Sequence, residues 1–209
     1  MKKALILLAL LLALGQSSCT TLTTNFHVVE EGRFYRSAQL DTNTLEKKIK
    51  EYNIKTVVNL RGERPTEGWY EAEKKLCKQL GVKYVSIRFS SKPSKQRIEE
   101  LLFVFDGAPY PIYVHCEGGR DRTGLASVIY LVDRGKPVDE AFSHLTGWQY
   151  RNVLFTDRNI QRDFFKLYTD FCQNNGEISF RDWLSKHYQG SGAPQTQKMA
   201  FGEPLPSCP

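Results

Sequence analysis

One short segment carries most of the chemistry open to this chain: His115-Cys116-Glu117-Gly118-Gly119-Arg120-Asp121-Arg122-Thr123-Gly124. Cys116 follows a short apolar run and precedes a helical pattern, so its thiol meets the unpaired N–H groups and the positive dipole end of a helix. Arg122, six positions on, turns back over the same point. Both features favour a thiolate near neutral pH. Gly118 and Gly119 allow the backbone angles that turn successive N–H groups inward as an anion cradle. The guanidinium of Arg122 adds a planar fork matched to two oxygens of a phosphate. A nucleophile inside such a cradle implies attack on phosphorus.

The elements needed to hold this segment can be read on either side of it. Pro111 to His115 is a short apolar strand of the buried type, and Leu125 to Asp133 continues as a helix. Upstream, Asn43-Thr44-Leu45-Glu46 has capping-box spacing and predicts a helix to Tyr52. Ile54 to Leu60 predicts a strand. Trp69 to Leu80 predicts a helix ended by Gly81, followed by a strand over Val82 to Ile87. Ser94 caps a helix to Phe105. Asp139 to Leu145, Asp157 to Cys172 and Ser179 to His187 predict three more. Alternating strands and helices mean an α/β domain whose central, mostly parallel sheet is flanked by helices. Its site should lie where a strand's carboxyl end feeds a helix.

The segment resembles the Cys-x5-Arg-Ser/Thr phosphate-binding loop of the protein tyrosine phosphatase superfamily, with His115 and Thr123 matching as well. Tyr35-Arg36-Ser37-Ala38-Gln39 and Val57-Val58-Asn59-Leu60-Arg61 resemble N-terminal segments of its dual-specificity branch. The resemblance spans Phe34 to Asp133. It implies a single cysteine-dependent phosphatase domain, here residues 26–189. It also implies roles: Cys116 forms a phosphocysteine intermediate, Arg122 holds the phosphoryl oxygens, and Thr123 assists expulsion of the thiolate. The loop residues Glu117, Gly118, Gly119 and Arg120 are expected to bind substrate, and no metal or organic cofactor is implied.

A departing alkoxide or phenolate needs a proton in the transition state. The resembling phosphatases supply it from an aspartate on a loop well upstream of the cysteine. Here that stretch reads Ser86-Ile87-Arg88-Phe89-Ser90-Ser91-Lys92-Pro93, without an acidic residue. Asp106 is the one upstream substitute and reads as an exposed turn residue. Asp121 lies inside the loop. The Asp-Arg-Thr form resembles loops of myotubularin-type and some bacterial secreted phosphatases that act on phosphoinositides, where this aspartate is the acid. Asp121 is therefore the expected acid; the alternative is a carboxylate that neutralises Arg120 or caps the helix. The Cys-Glu beginning also occurs in cysteine phytases. Expected substrates are phosphotyrosine-type phosphoproteins or inositol phosphates. His115 reads as a buried prop for the loop, and Arg61 with Glu63 as a structural ion pair. A phosphate-binding module without turnover is the reading from another class, which the intact Cys116, Arg122 and Thr123 oppose.

Composition bounds the rest. The chain has 209 residues, 41% apolar and 25% charged, which suits one packed domain. Its formal charge of +6 comes without a Lys/Arg block, so nucleic acid is not an expected partner. The five cysteines include no pair at metal-ligand spacing, and Cys77 and Cys172 read as core residues, either of which could enter a disulfide if the chain is exported. Met1-Lys2-Lys3, the apolar run Ala4 to Leu14 and the small residues after it predict an export signal over residues 1–18. Small residues directly before Cys19 resemble the bacterial lipoprotein signal, apart from Gln16 where that pattern has an apolar residue. The resemblance implies a lipid anchor on Cys19, a membrane partner and a cell-envelope location, with residues 19–25 as a tether; the alternative is simple cleavage and a soluble periplasmic or secreted product. Residues 190–209, rich in Gly, Pro, Ser and Gln, predict a flexible tail.

Overall fold

The structure is a computed structural model that describes residues 24–146, 148–150 and 157–188. The expected export signal, Cys19 with most of the tether, and the tail lie outside the described residues. Five strands form one sheet: β1 (His27–Glu30), β2 (Phe34–Ser37), β3 (Thr56–Asn59), β4 (Lys83–Ser86) and β5 (Ile112–His115). Their order is β1-β2-β5-β3-β4. β1 runs antiparallel to β2, and the other neighbours are parallel. The parallel register places Ser37, His115, Asn59 and Ser86 side by side at one edge. That edge is the carboxyl end of the sheet, with β5 at its centre.

Successive strand residues face opposite sides, and the two sides carry separate cores. Phe34, Val58, Ile112 and Val114 pack on one face against α3 (Lys95–Gly107), α4 (Asp121–Asp133), α5 (Val138–Thr146), α6 (Asp157–Asn175) and α7 (Phe180–Lys186). Tyr35, Val57 and Tyr113 pack on the other against α1 (Thr42–Glu51) and α2 (Gly68–Gln79). Full burial of each such side chain contributes about 1.5–3 kcal/mol before entropy is counted. Alternation along β5 thus sends Val114 to one core and Tyr113 to the other, and fixes the direction in which His115 and then Cys116 point.

Most predicted elements are present, with instructive differences. The first helix is capped by Asp41, whose carboxylate accepts from the Thr44 amide, so the cap lies two residues before the expected capping box. Ser94 and Ser179 cap as expected from their hydroxyls. The helix after the loop begins at Asp121, not Leu125, because Asp121 to Gly124 themselves form its first turn. Asn25, expected as the last tether residue, is buried and bonded to the loop after β5, so the domain begins before residue 26. Cys77 is a buried free thiol, pushed up to about 12 by burial and then by Glu73. Cys172 is buried as expected but is disulfide-bonded. No helix among the described residues is long and apolar enough to cross a membrane.

Candidate active site

All eight residues singled out between Cys116 and Thr123 lie in the turn from β5 into α4. Cys116 is a free thiol, 3% exposed, at the carboxyl edge of the sheet. Gly119 adopts φ +66°, and a Cβ there would lie 2.4 Å from the Ala38 nitrogen and 2.5 Å from the Ser37 carbonyl carbon. Glycine is therefore demanded twice, by conformation and by the close approach of β2. Gly124 is demanded by packing alone, since its Cβ would lie 2.7 Å from Leu145 Cδ2.

The amides of Glu117 to Thr123 donate to no protein acceptor among the described residues. The first helical bond onto the loop is Gly124 N–H to the Arg120 carbonyl at 2.8 Å. Thr123 Oγ1 is buried and likewise unpartnered. Unpartnered amides at a helix N-terminus, together with a buried hydroxyl, fit a bound anion with several acceptor oxygens, such as phosphate. Arg122 is partly exposed and makes one ion-pair contact, 3.8 Å to Glu117 across the loop, which leaves most of its donors open to a ligand. Glu117 is exposed, and its carbonyl accepts from the Gln39 amide at 3.0 Å. Arg120 is exposed, with its guanidinium folded over Gly118.

Asp121 is the first residue of α4 and half-buried, and its carboxylate makes no hydrogen bond or ion pair among the described residues. It makes no ion pair with Arg120 and no side-chain capping bond among the described residues, and stands as an acidic residue in the first turn of α4. Asp106 is excluded from the site. It forms a two-pronged pair with Arg181 at 2.6 and 2.9 Å, and Arg181 also holds Asp133 at the far end of α4. A helix of this length puts Asp133 about 18 Å from Asp121. Arg61 forms its ion pair with Glu67 at 3.6 Å, not with Glu63, and lies 3.9 Å over the Trp69 ring.

His115 is the prop expected of it. The ring is fully buried, with Nδ1 3.2 Å from the Cys116 carbonyl and Nε2 2.9 Å from Glu73 Oε1. Glu73 also accepts from Tyr84 at 2.8 Å and from Gln39 at 2.5 Å. Burial pushes its carboxyl up, but the charge and hydrogen bond of His115, with those of Tyr84 and Gln39, outweigh this and hold it below the usual value. The sequence reading missed Glu73, because Glu71-Ala72-Glu73 reads as a solvated helix face. It also gave Asn25 and Arg36 no role. Asn25 Nδ2 donates to the Gly118 and Gly119 carbonyls, each at 3.0 Å, and Arg36 Nη2 donates to the Gly119 carbonyl at 2.7 Å. Arg36 lies within the Tyr35-Arg36-Ser37-Ala38-Gln39 segment, and its place as an arginine within a strand was the available signal.

Comparison with known proteins agrees with this geometry. Residues 17–163, well over half of the chain, match the family described as PTP-NADK, a DSP-PTPase phosphatase fused to NAD+ kinase. Among solved structures, the chain is similar to TpbA of P. aeruginosa, with a TM-score of 0.50 and 20% identity over 61% of this chain and 76% of that one. It is also similar to the core catalytic domain of the PP-IP phosphatase SIW14 of S. cerevisiae, with a TM-score of 0.50 and 18% identity over 73% and 93% of the two chains. These likenesses establish a shared fold. No curated protein matches the sequence.

Proposed function

The chain belongs to the DSP-PTPase phosphatase family, and on that premise we propose that it hydrolyses phosphate monoesters of phosphotyrosine- and dual-specificity-type protein substrates through a phosphocysteine intermediate. The observation that carries this reading is the open loop after Cys116: a run of amides and the Thr123 hydroxyl without protein partners, in the same turn as an arginine with donors to spare. In the first step the Cys116 thiolate attacks phosphorus. The P–S bond forms, the P–O bond breaks, and Asp121 protonates the leaving oxygen. In the second step Asp121, now ionised, takes a proton from water as that water attacks phosphorus. The P–S bond breaks, inorganic phosphate leaves, and Thr123 donates a hydrogen bond to the departing thiolate. Through both steps the loop amides and Arg122 bear the charge on the phosphoryl oxygens.

Arg120 favours a second substrate class. It stands exposed beside the cradle without an ion pair among the described residues, so a substrate with a further phosphate gains a contact there. Inositol phosphates and phosphoinositides meet that description. The SIW14 likeness is compatible with it but, at this identity, speaks only to fold.

Phosphate release from a phosphotyrosine peptide, a phosphoinositide and an inositol polyphosphate, under reducing conditions with chelator present, tests the reading. Turnover supports an enzyme and the best substrate names its class, whereas tight binding without release makes the domain a binding module. Export through residues 1–18, a lipid anchor on Cys19 and a cell-envelope location belong to the same proposal. The mass of the mature N-terminus measures the first two together.

A further inference from the structure

Arg36 is the largest fully buried side chain of the domain and has no carboxylate partner among the described residues. Burying a guanidinium without an anion is costly, so its neighbours should say what it is for. Nη2 donates to the Gly119 carbonyl at 2.7 Å and, more weakly, to the Arg120 carbonyl at 3.5 Å. Nη1 donates to the His144 carbonyl at 2.6 Å, in the last turn of α5, where helix carbonyls are unpaired. The guanidinium carbon lies 4.6 Å over the Tyr150 ring. Asn25, buried at φ +52°, holds the Gly118 and Gly119 carbonyls from a second direction. Carbonyls of the catalytic loop are thus gripped from behind, while the amides of the same loop are left without protein acceptors. Each peptide unit carries its C=O and N–H on opposite sides, so holding the carbonyl back turns the amide away from the grip.

We propose that Arg36 is a positioning residue for catalysis: it fixes the Gly119 and Arg120 peptide planes so that the cradle amides face phosphate, and its uncompensated charge behind the loop favours the Cys116 thiolate. Burial lowers the Arg36 pKa to about 10, against which the charges of Tyr150 and Cys116 act to raise it. The titratable groups around the guanidinium are His27 of β1, His144 in the last turn of α5, Tyr150 beyond it, and Cys116 after β5. Burial and then the charge of Arg36 lower both histidines to about 4, so near neutral pH they add no competing charge. On the open side of the loop Cys116 is accompanied by Arg122 and Glu117.

This inference rests on the phosphatase reading, and its test includes an arm that does not. Iodoacetamide alkylates a thiolate, forming a thioether and releasing iodide, so the alkylation rate of the Cys116 peptide against pH reports ionisation without any turnover. Wild type, Arg36→Lys and Arg36→Met are compared, with a thermal melt on each. The proposal expects the half-maximal pH of Cys116 alkylation to rise by about one unit in Arg36→Met. It expects Arg36→Lys to restore that pH, since the charge returns. The value of kcat/KM should stay down about 10²-fold in Arg36→Lys, because one ammonium cannot fix both peptide planes. Unchanged alkylation and kcat/KM in a folded Arg36→Met overturn the proposal. Should Arg36→Met not fold, full kcat/KM in Arg36→Lys overturns it. Absence of turnover in wild type would instead count against the phosphatase reading and leave the alkylation arm to judge the charge.

Discussion

Glu73 Oε1 and His115 Nε2 lie 2.9 Å apart in full burial, tying α2 to the residue that precedes Cys116. The ring's other nitrogen faces the Cys116 carbonyl, so the strand end is held from the α2 side while Asn25 and Arg36 hold the following turn. Cys116 sits between these supports. Its placement is therefore a property of three elements that are remote in sequence, as expected of a site that must hold a reacting atom to a fraction of an ångström.

This pairing predicts an acid-sensitive contribution to stability. The Glu73 carboxyl is held below its ordinary 4.5, so the unfolded chain binds its proton more readily than the folded one. The contribution is present in full above pH 4.5 and is lost as the pH falls through the lower folded value. Glu73→Gln should destabilise the wild-type domain at neutral pH and flatten the melting temperature against pH below 4.5. Thermal melts across that range check it.

The two half-buried histidines beside Arg36 predict a second, separate slope. His27 and His144 are lowered from 6.5 to about 4 by burial first and by Arg36 second. Between those values the unfolded state takes up protons that the folded state refuses, so stability falls as the pH drops from 6.5 towards 4. His27→Gln, able to keep a partner for Asn25, should reduce this slope relative to wild type. An unchanged slope would mean that His27 titrates normally in the fold.

Gly119→Ala should cost both stability and activity. The left-handed angle alone costs about 1–3 kcal/mol, and the overlap with the Ala38 nitrogen at 2.4 Å and the Ser37 carbonyl carbon at 2.5 Å adds to it. Gly135, at φ +78° with nothing near its Cβ position, provides the control. Gly135→Ala should lower the melting temperature modestly and leave kcat/KM intact, whereas Gly119→Ala should lower kcat/KM by about 10²-fold or more.

Asp121→Asn should lower kcat/KM, which reports the first step alone, by about 10²- to 10⁴-fold on substrates with a poor leaving group, for which proton donation matters most. On an aryl phosphate with a strongly acidic leaving group the loss should be much smaller. Leaving-group dependence measured on both proteins decides this. An equal loss on every substrate would assign Asp121 to the shape of the loop.

The loop motif and the α/β alternation were legible because both are local. Ile112 to His115 announces a buried strand by composition, and Ser94 and Ser179 announce helix starts by hydroxyl chemistry. What was not legible depends on distance. Nothing around Glu73 signals burial, since its partners Gln39, Tyr84 and His115 come from three other segments. Asn25 follows a polar stretch that reads as tether, and only the fold brings it to Gly118 and Gly119. Asp106 looked available because the sequence does not show Arg181 beside it. The capping box at Asn43 failed against Asp41, a better acceptor two residues earlier.

The central claim is that the phosphoryl group passes through Cys116, and acid-quenching of the purified domain during turnover of a phosphotyrosine peptide tests it most directly. Peptide mapping of the quenched protein should find one phosphoryl group on the peptide that carries Cys116. The label should build up further in Asp121→Asn on a substrate with a good leaving group, where hydrolysis of the intermediate becomes the slow step. Cys116→Ser should show neither the labelled cysteine nor turnover. Phosphate release that continues in Cys116→Ser, or a phosphoryl group found on another residue, would contradict the account.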